Sequence, residues 1–130
     1  MDKLETIVGT KATKSELVTN NNTAKTYGSG DIDVYATPAM VGLMEGASIL
    51  VLDKIIPNGF STVGTKIDVS HLAATPIGMK VTAEAELIEV TGKKLVFKIF
   101  ASDERGKIGE GIHERFVIEV EKFLNKTKNK

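Results

Sequence analysis

Apolar and polar positions along the chain change period once, and that change separates a helical stretch from a run of strands. Met40, Val41, Met44, Ser48, Val51, Leu52 and Ile55 recur at helical spacing. Thr37-Pro38 precedes them, a threonine suited to N-capping and then a proline at the first helical position, where its missing N–H is harmless. Pro57-Asn58-Gly59 stops the pattern, so the spacing predicts one helix over residues 38–56. Beyond Gly59 the period is two. Val63, Thr65, Ile67, Val69 and His71 share one side of a strand, and Met79, Val81, Ala83, Ala85 and Leu87 share one side of the next. Leu95, Phe97, Ile99 and Ala101 give a third such row. Ile108, Ile112, Phe116, Ile118 and Val120 give a fourth, which directs His113 and Arg115 outward.

Turn residues at Thr91-Gly92-Lys93 and over residues 103–106 (DERG) join the last three strands as antiparallel hairpins. Ahead of the helix, residues 15–19 (SELVT) read as a further strand, followed by a polar run and a small-residue connection, GSGD, at residues 28–31. One strand, one long helix and an antiparallel meander with a single apolar side make an α+β protein in which a sheet of about five strands wraps the helix. That is the outline of a hot-dog fold. The whole chain reads as one domain, with residues 1–30 as an N-terminal strand and variable lid region and residues 124–130 as a basic, disordered tail.

Composition narrows the functional classes. Of 130 residues, 42% are hydrophobic and 26% charged, and seventeen basic side chains balance seventeen acidic ones. This balance supplies no field to gather nucleic acid or an anionic membrane. With no cysteine there is no disulfide, thiol nucleophile or thiolate metal site. No signal-peptide core or membrane segment is expected, and a cytoplasmic protein is the reading.

Glu45 is the residue that needs explaining, because it interrupts an otherwise apolar helix. An unpartnered charge among apolar neighbours costs several kcal/mol unless it meets a partner or a cavity. A lone helical glutamate most often reaches solvent from the edge of the stripe. Gly42 and Gly46 flank this one, however, and glycine inside a helix costs roughly 1 kcal/mol relative to alanine, which points to close approach of another backbone or a ligand. His71 extends the apolar row of its strand toward the helix and ends that strand beside the loop LAATPIG at residues 72–78. A satisfied structural histidine is one reading of it. The other is an imidazole facing a carboxylate, as acid-base or nucleophilic chemistry requires. No histidine–carboxylate cluster has metal-ligand spacing, and neither a dinucleotide fingerprint nor a nucleophile-elbow serine is present.

Three segments carry a family resemblance: YATPAMVGLMEGAS at residues 35–48, STVGTKIDVSHLAATPIGMKVTAEAEL at 61–87 and IGEGIHERFVIEVEKF at 108–123. Together they resemble the fluoroacetyl-CoA thioesterase family of hot-dog proteins. The resemblance implies hydrolysis of an acyl-CoA thioester, without a cofactor, by a homodimer with its active sites at the subunit interface. It places the catalytic trio on Thr37, Glu45 and His71, and a glycine close to the substrate on Gly64. Ahead of the helix the family's fluoroacetate-specialised enzyme has a phenylalanine-rich lid, where this chain has GSGDIDV at residues 28–34; the departure bears on fluorine selectivity and leaves the trio intact.

A helix rises 1.5 Å per residue, so Thr37 and Glu45 lie roughly 12 Å apart along it, too far to share one carbonyl within a chain. The helix start of one subunit is therefore expected to face Glu45 of the other. The Thr37 hydroxyl and the N–H groups of Ala39 and Met40 would polarise the thioester oxygen, with Glu45 as nucleophile or general base and His71 transferring protons. Two other activities suit such a protein. An enoyl-CoA hydratase would carry a D-x-x-x-H motif ahead of the helix, which this chain lacks, and a non-catalytic acyl-CoA or metabolite-binding module would bind without turnover.

Overall fold

A short 3-10 turn, Leu4–Ile7, leads into β1 (Lys11–Leu17), α1 (Ala24–Tyr27), α2 (Thr37–Leu52), β2 (Phe60–His71), β3 (Lys80–Thr91), β4 (Lys94–Ser102), β5 (Lys107–Glu119) and α3 (Val120–Lys128). The structure is a computed structural model that describes residues 4–53 and 55–130. Residues 1–3 of the expected lid region and Lys54 of the expected helix lie outside the described residues. Those described form one five-stranded antiparallel sheet in the order β1-β3-β4-β5-β2. No described helix is long and apolar enough to cross a membrane.

Helix α2 lies on one side of the sheet, closest to β1 and β3. Its Met40, Leu43, Met44, Ala47 and Val51 are buried against the predicted rows of β3 and β4. Burying each of the larger of these side chains contributes about 1.5–3 kcal/mol. Ala83, Ala85 and Ala101, all fully buried, keep the floor low enough for the helix to seat. At Gly109, where a Cβ would sit 2.6 Å from Met40 Sδ, the methionine takes the space a side chain would need.

Several boundaries differ from the sequence reading. The helix begins one residue earlier, with Ala36 rather than Thr37 as its N-cap, and Thr37 occupies the first turn. Its other end comes at Leu52, not residue 56, because the Leu52 carbonyl already accepts N–H bonds from Ile55 and Ile56 in a closing turn. Strand β1 is shifted back to Lys11–Leu17. The tail expected to be disordered belongs to α3 as far as Lys128, with Glu121 in its first turn and Lys126 and Lys128 in its last, each sign matching the helix dipole.

The largest correction concerns the sides of β2 and β5. A bulge between Gly64 and Lys66 inserts one extra residue into β2. Thr62 and Gly64 therefore join Ile67, Val69 and His71 on the helix side, while Val63 and Thr65 do not. In β5 the inward row pairs with them and runs through Gly109, Gly111, His113, Arg115 and Val117. His113 and Arg115 are 1% and 5% exposed, whereas Ile112 and Phe116, expected inside, are 37% and 42% exposed. Counting period two from the isoleucines chose the wrong side, because the outer side of the sheet is apolar as well.

The β2–β5 register leaves no room at Gly111. An alanine Cβ there would lie 2.0 Å from the Asp68 carbonyl oxygen and 2.8 Å from Val69 Cα, and neither is a side-chain tip that can swing away. Gly111→Ala is expected to lower the unfolding free energy by at least about 1–3 kcal/mol, read as a fall in urea midpoint at unchanged slope; an unaltered midpoint would show that the two strands separate more easily than their packing implies.

Candidate active site

Helix α2 and strand β2 meet at the start of one and the end of the other, and there Thr37 Oγ1 and His71 Nδ1 are hydrogen-bonded at 2.7 Å. Capping passes to the Ala36 backbone, extended at φ −72° and ψ 139°, which releases the Thr37 hydroxyl for this contact. His71 Nε2 is buried and meets no hydrogen-bond partner. Burial holds the His71 imidazole below its ordinary pKa, with the Ala73 backbone acting in the opposite sense. A neutral imidazole with one nitrogen on a hydroxyl and the other free is suited to moving a proton. The pair lines a cleft of about 310 Å³ together with Val34, Tyr35, Leu72 and Ala73. Tyr35 turns its phenol inward and donates to Glu16 Oε2 at 2.5 Å; burial first and that carboxylate second raise its pKa.

Glu45 stands in a second cluster. Its Oε2 is 3.7 Å from Arg115 Nη1, with the arginine side chain 6% and the glutamate 39% exposed. Gly64 makes the approach possible, since a Cβ there would be 3.0 Å from Glu45 Oε2 and 3.3 Å from both Arg115 Nη1 and His113 Cε1. Arg115 is fixed on the other side by three donations: Nε to Thr62 Oγ1 at 2.9 Å, Nη2 to the Thr62 carbonyl at 3.0 Å and Nη1 to His113 Nε2 at 3.2 Å. An arginine can only donate, so His113 Nε2 accepts, and His113 Nδ1 donates to the Lys66 carbonyl at 2.8 Å. His113 is thereby neutral, and burial, followed by the adjacent Arg115 charge, lowers its pKa. Sequence reasoning missed both residues. The available signal was their place in phase with Val117 and opposite a glycine, Gly64.

Thr37 and His71 are thus brought together, and so are Glu45 and Gly64, but the two groups are apart. His71 is paired with Gly109 and Gly64 with Arg115, six positions along β5, which is about 20 Å at ~3.3 Å per residue. The expected backbone donors also change. Met40 gives its N–H to the Ala36 carbonyl at 3.0 Å, and its side chain is fully buried, so it is withdrawn as a donor. Ala39 and Thr37 keep first-turn N–H groups outside the helical ladder. Of the flanking glycines, Gly46 lies under the Lys14 side chain, 2.8 Å from the position of a Cβ, while Gly42 has nothing within 4 Å. Among the described residues no three histidine, aspartate or glutamate side chains converge to hold a metal ion.

The fold has solved counterparts. The fluoroacetyl-CoA thioesterase FlK overlays with a TM-score of 0.89 at 39% identity, covering 95% of this chain and 96% of its own. A hot-dog-like protein from Thermanaerovibrio acidaminovorans overlays with a TM-score of 0.90 at 27% identity, covering 99% and 96%. The fold, with these solved relatives, defines a hot-dog thioesterase. Residues 18–121 match the family described as fluoroacetyl-CoA-specific thioesterase, and the fluoroacetyl-CoA thioesterase of Streptantibioticus cattleyicolor is 45% identical over 98 residues, 75% of this chain and 70% of its own length. The chain belongs to the fluoroacetyl-CoA-specific thioesterase family and is an acyl-CoA thioester hydrolase.

Burial of His113, with the Arg115 charge beside it, makes stability depend on pH in a set direction. His113 binds a proton less readily folded than at its unfolded value of 6.5. Its contribution is full above that pH and is lost as the pH falls through the lower folded value. Melting temperature should therefore drop from pH 7 toward pH 5, and His113→Gln, which keeps an acceptor for Arg115 but does not protonate, should drop less; equal slopes would contradict the assignment of a neutral His113.

Proposed function

We propose that the protein hydrolyses a small acyl-CoA thioester as a homodimer in which each active site combines Thr37 and His71 of one subunit with Glu45 of the other. The observation that carries this is the separation of the two groups along β2. Within one chain neither is complete, and a twofold operation repairs that. Strand β2 is a sheet edge, twelve residues long, whose outer N–H and C=O groups have no strand beside them in the described residues. Two such edges pairing antiparallel about a midpoint next to Ile67 would bring the His71 end of one strand alongside Gly64 of the other. Helix α2 supports the same contact, because Ile49 and Leu50 on its outer side are 44% and 43% exposed and give a second helix an apolar surface.

In this arrangement the thioester carbonyl lies at the start of α2, where the Thr37 hydroxyl and the Thr37 and Ala39 N–H groups face a developing oxyanion and the positive end of the helix favours it. Glu45 attacks the acyl carbon or activates the water that does. His71 passes a proton toward the departing sulfur. Water's hydroxyl ends on the acyl group and its proton with coenzyme A thiol. Gly64 leaves room for substrate beside the carboxylate. Residues 28–34, with no phenylalanine, border the cleft through Ser29 and Val34, which supports a small acyl group chosen without an aromatic lid.

Thiol release from a panel of short, polar and fluorinated acyl-CoAs tests the reading. Glu45→Gln and His71→Ala, each folded and of wild-type assembly size, should lower kcat by about 10²–10⁴. Undiminished turnover in Glu45→Gln would remove the carboxylate from the chemistry, and a monomer at working concentration would remove the shared site.

A further inference from the structure

Helix α3 is regular yet packs on almost nothing. Its nine residues are fewer than an isolated helix needs to hold its shape in water. None of them is buried, and the element it touches most is β5, the strand it continues. Val120, Phe123, Leu124 and Thr127 fall at i, i+3, i+4 and i+7 and make one stripe, with Phe123 38% and Leu124 57% exposed. The helix also carries three lysines and one glutamate. Lys122 pairs with Glu119 at 3.5 Å, whereas Lys126 and Lys128 are within ion-pair distance of no carboxylate among the described residues.

A surface of matching character lies ahead of α2. Residues 31–33 (DID) set Ile32, 67% exposed, between the exposed carboxylates of Asp31 and Asp33, and no cation among the described residues is within ion-pair distance of either. This segment is held to the loop after β2, since Val34 bridges to Pro76 and the Tyr35 N–H donates to the Thr75 carbonyl at 2.9 Å. Leu72 in that loop is 56% exposed. Through Ser29 and Val34 the same segment borders the cleft of Thr37 and His71. Within one chain the two surfaces cannot meet. The Val120 N–H donates to the Gly59 carbonyl at 2.9 Å, which roots α3 at the first end of β2, and residues 31–33 lie at the last; twelve strand residues between them span about 40 Å at ~3.3 Å per residue.

We infer that α3 of one subunit docks on residues 31–33 of the other, with Phe123 and Leu124 against Ile32 and Leu72 and the lysines beside Asp31 and Asp33, and so braces the border of the other subunit's cleft. The inference rests on the homodimer reading, in which the β2 edges pair antiparallel. With His71 opposite Gly64, five further positions set Gly59 level with Pro76 of the other subunit, the residue that bridges to Val34. Each subunit gives one helix and receives one, so the contact closes on itself. An anionic membrane would suit the lysines, but it would leave Ile32 uncovered and repel Asp31 and Asp33.

The chain has no cysteine, so single thiols can be placed at will. Ile32→Cys and Leu124→Cys proteins, refolded together and treated with a short bismaleimide, should give a covalent heterodimer, and Ile88→Cys in place of Ile32→Cys should give none. The double variant Phe123→Ser/Leu124→Ser, changed only at exposed positions, should keep the monomer fold and raise the dimer dissociation constant about tenfold or more. Dimers that form without the crosslink would overturn the docking and leave the shared site standing, as would an unaltered dissociation constant. A double variant that dimerises like the wild type but no longer sediments with phosphatidylserine vesicles would assign the helix to a membrane instead. A wild type that stays monomeric would overturn the homodimer reading and this contact with it.

Discussion

A helix that is apolar on nearly every side cannot be satisfied by one sheet, and most of this structure follows from that constraint. Met40, Met44 and Val51 go down onto the alanine floor of β3 and β4, where small residues bring the helix close. Ile49 and Leu50 are left facing away. Covering them needs a second apolar surface, and in the proposed dimer the same helix of another copy supplies it. The helix thus has two duties, as the core of one sheet and as the contact between two. Its polar residues fall at the boundary: Thr37 at the start beside His71, Glu45 at the flank beside Gly64.

The bulge in β2 is the device that makes the flank usable. Without the extra residue at Thr65, Gly64 and Ile67 could not both turn toward the helix, and the carboxylate would meet either a side chain or the outer side of the sheet. The bulge also turns the Lys66 carbonyl to the His113 ring, which fixes the tautomer that receives Arg115. A buried cation is costly alone. Here Thr62 and His113 satisfy its donors before Glu45 does, so the guanidinium is a fixed surface against which the glutamate can rest.

Much of this was legible in the chain. The period change at Gly59 located α2 and the strands, and the alternation in β3 and β4 named their buried rows correctly. The resemblance singled out Thr37, Glu45 and His71, of which the structure joins the first and last. What was not legible depends on contacts distant in sequence. A one-residue bulge has no period of its own, yet it reverses the side of every residue before it. Ile112 and Phe116 looked like core residues because the outer side of the sheet is also apolar, and that concealed His113 and Arg115. Thr37 has every mark of an N-cap, and only the approach of His71 takes its hydroxyl elsewhere. Met40 lost its expected role for a local reason, since the earlier helix start spends its N–H on Ala36.

The most direct measurement is complementation between two inactive subunits. Glu45→Gln and His71→Ala proteins, each inactive alone, are unfolded, mixed in equal amounts and refolded together, and thiol release from an acyl-CoA is followed. If each site takes Glu45 from one subunit and His71 from the other, half of the dimers are mixed and each has one intact site, so about a quarter of the wild-type rate should return. If the rate stays at the level of the separate variants although mixed dimers form, each site is built within a single chain, and the sharing of Thr37, His71 and Glu45 across the twofold axis is wrong.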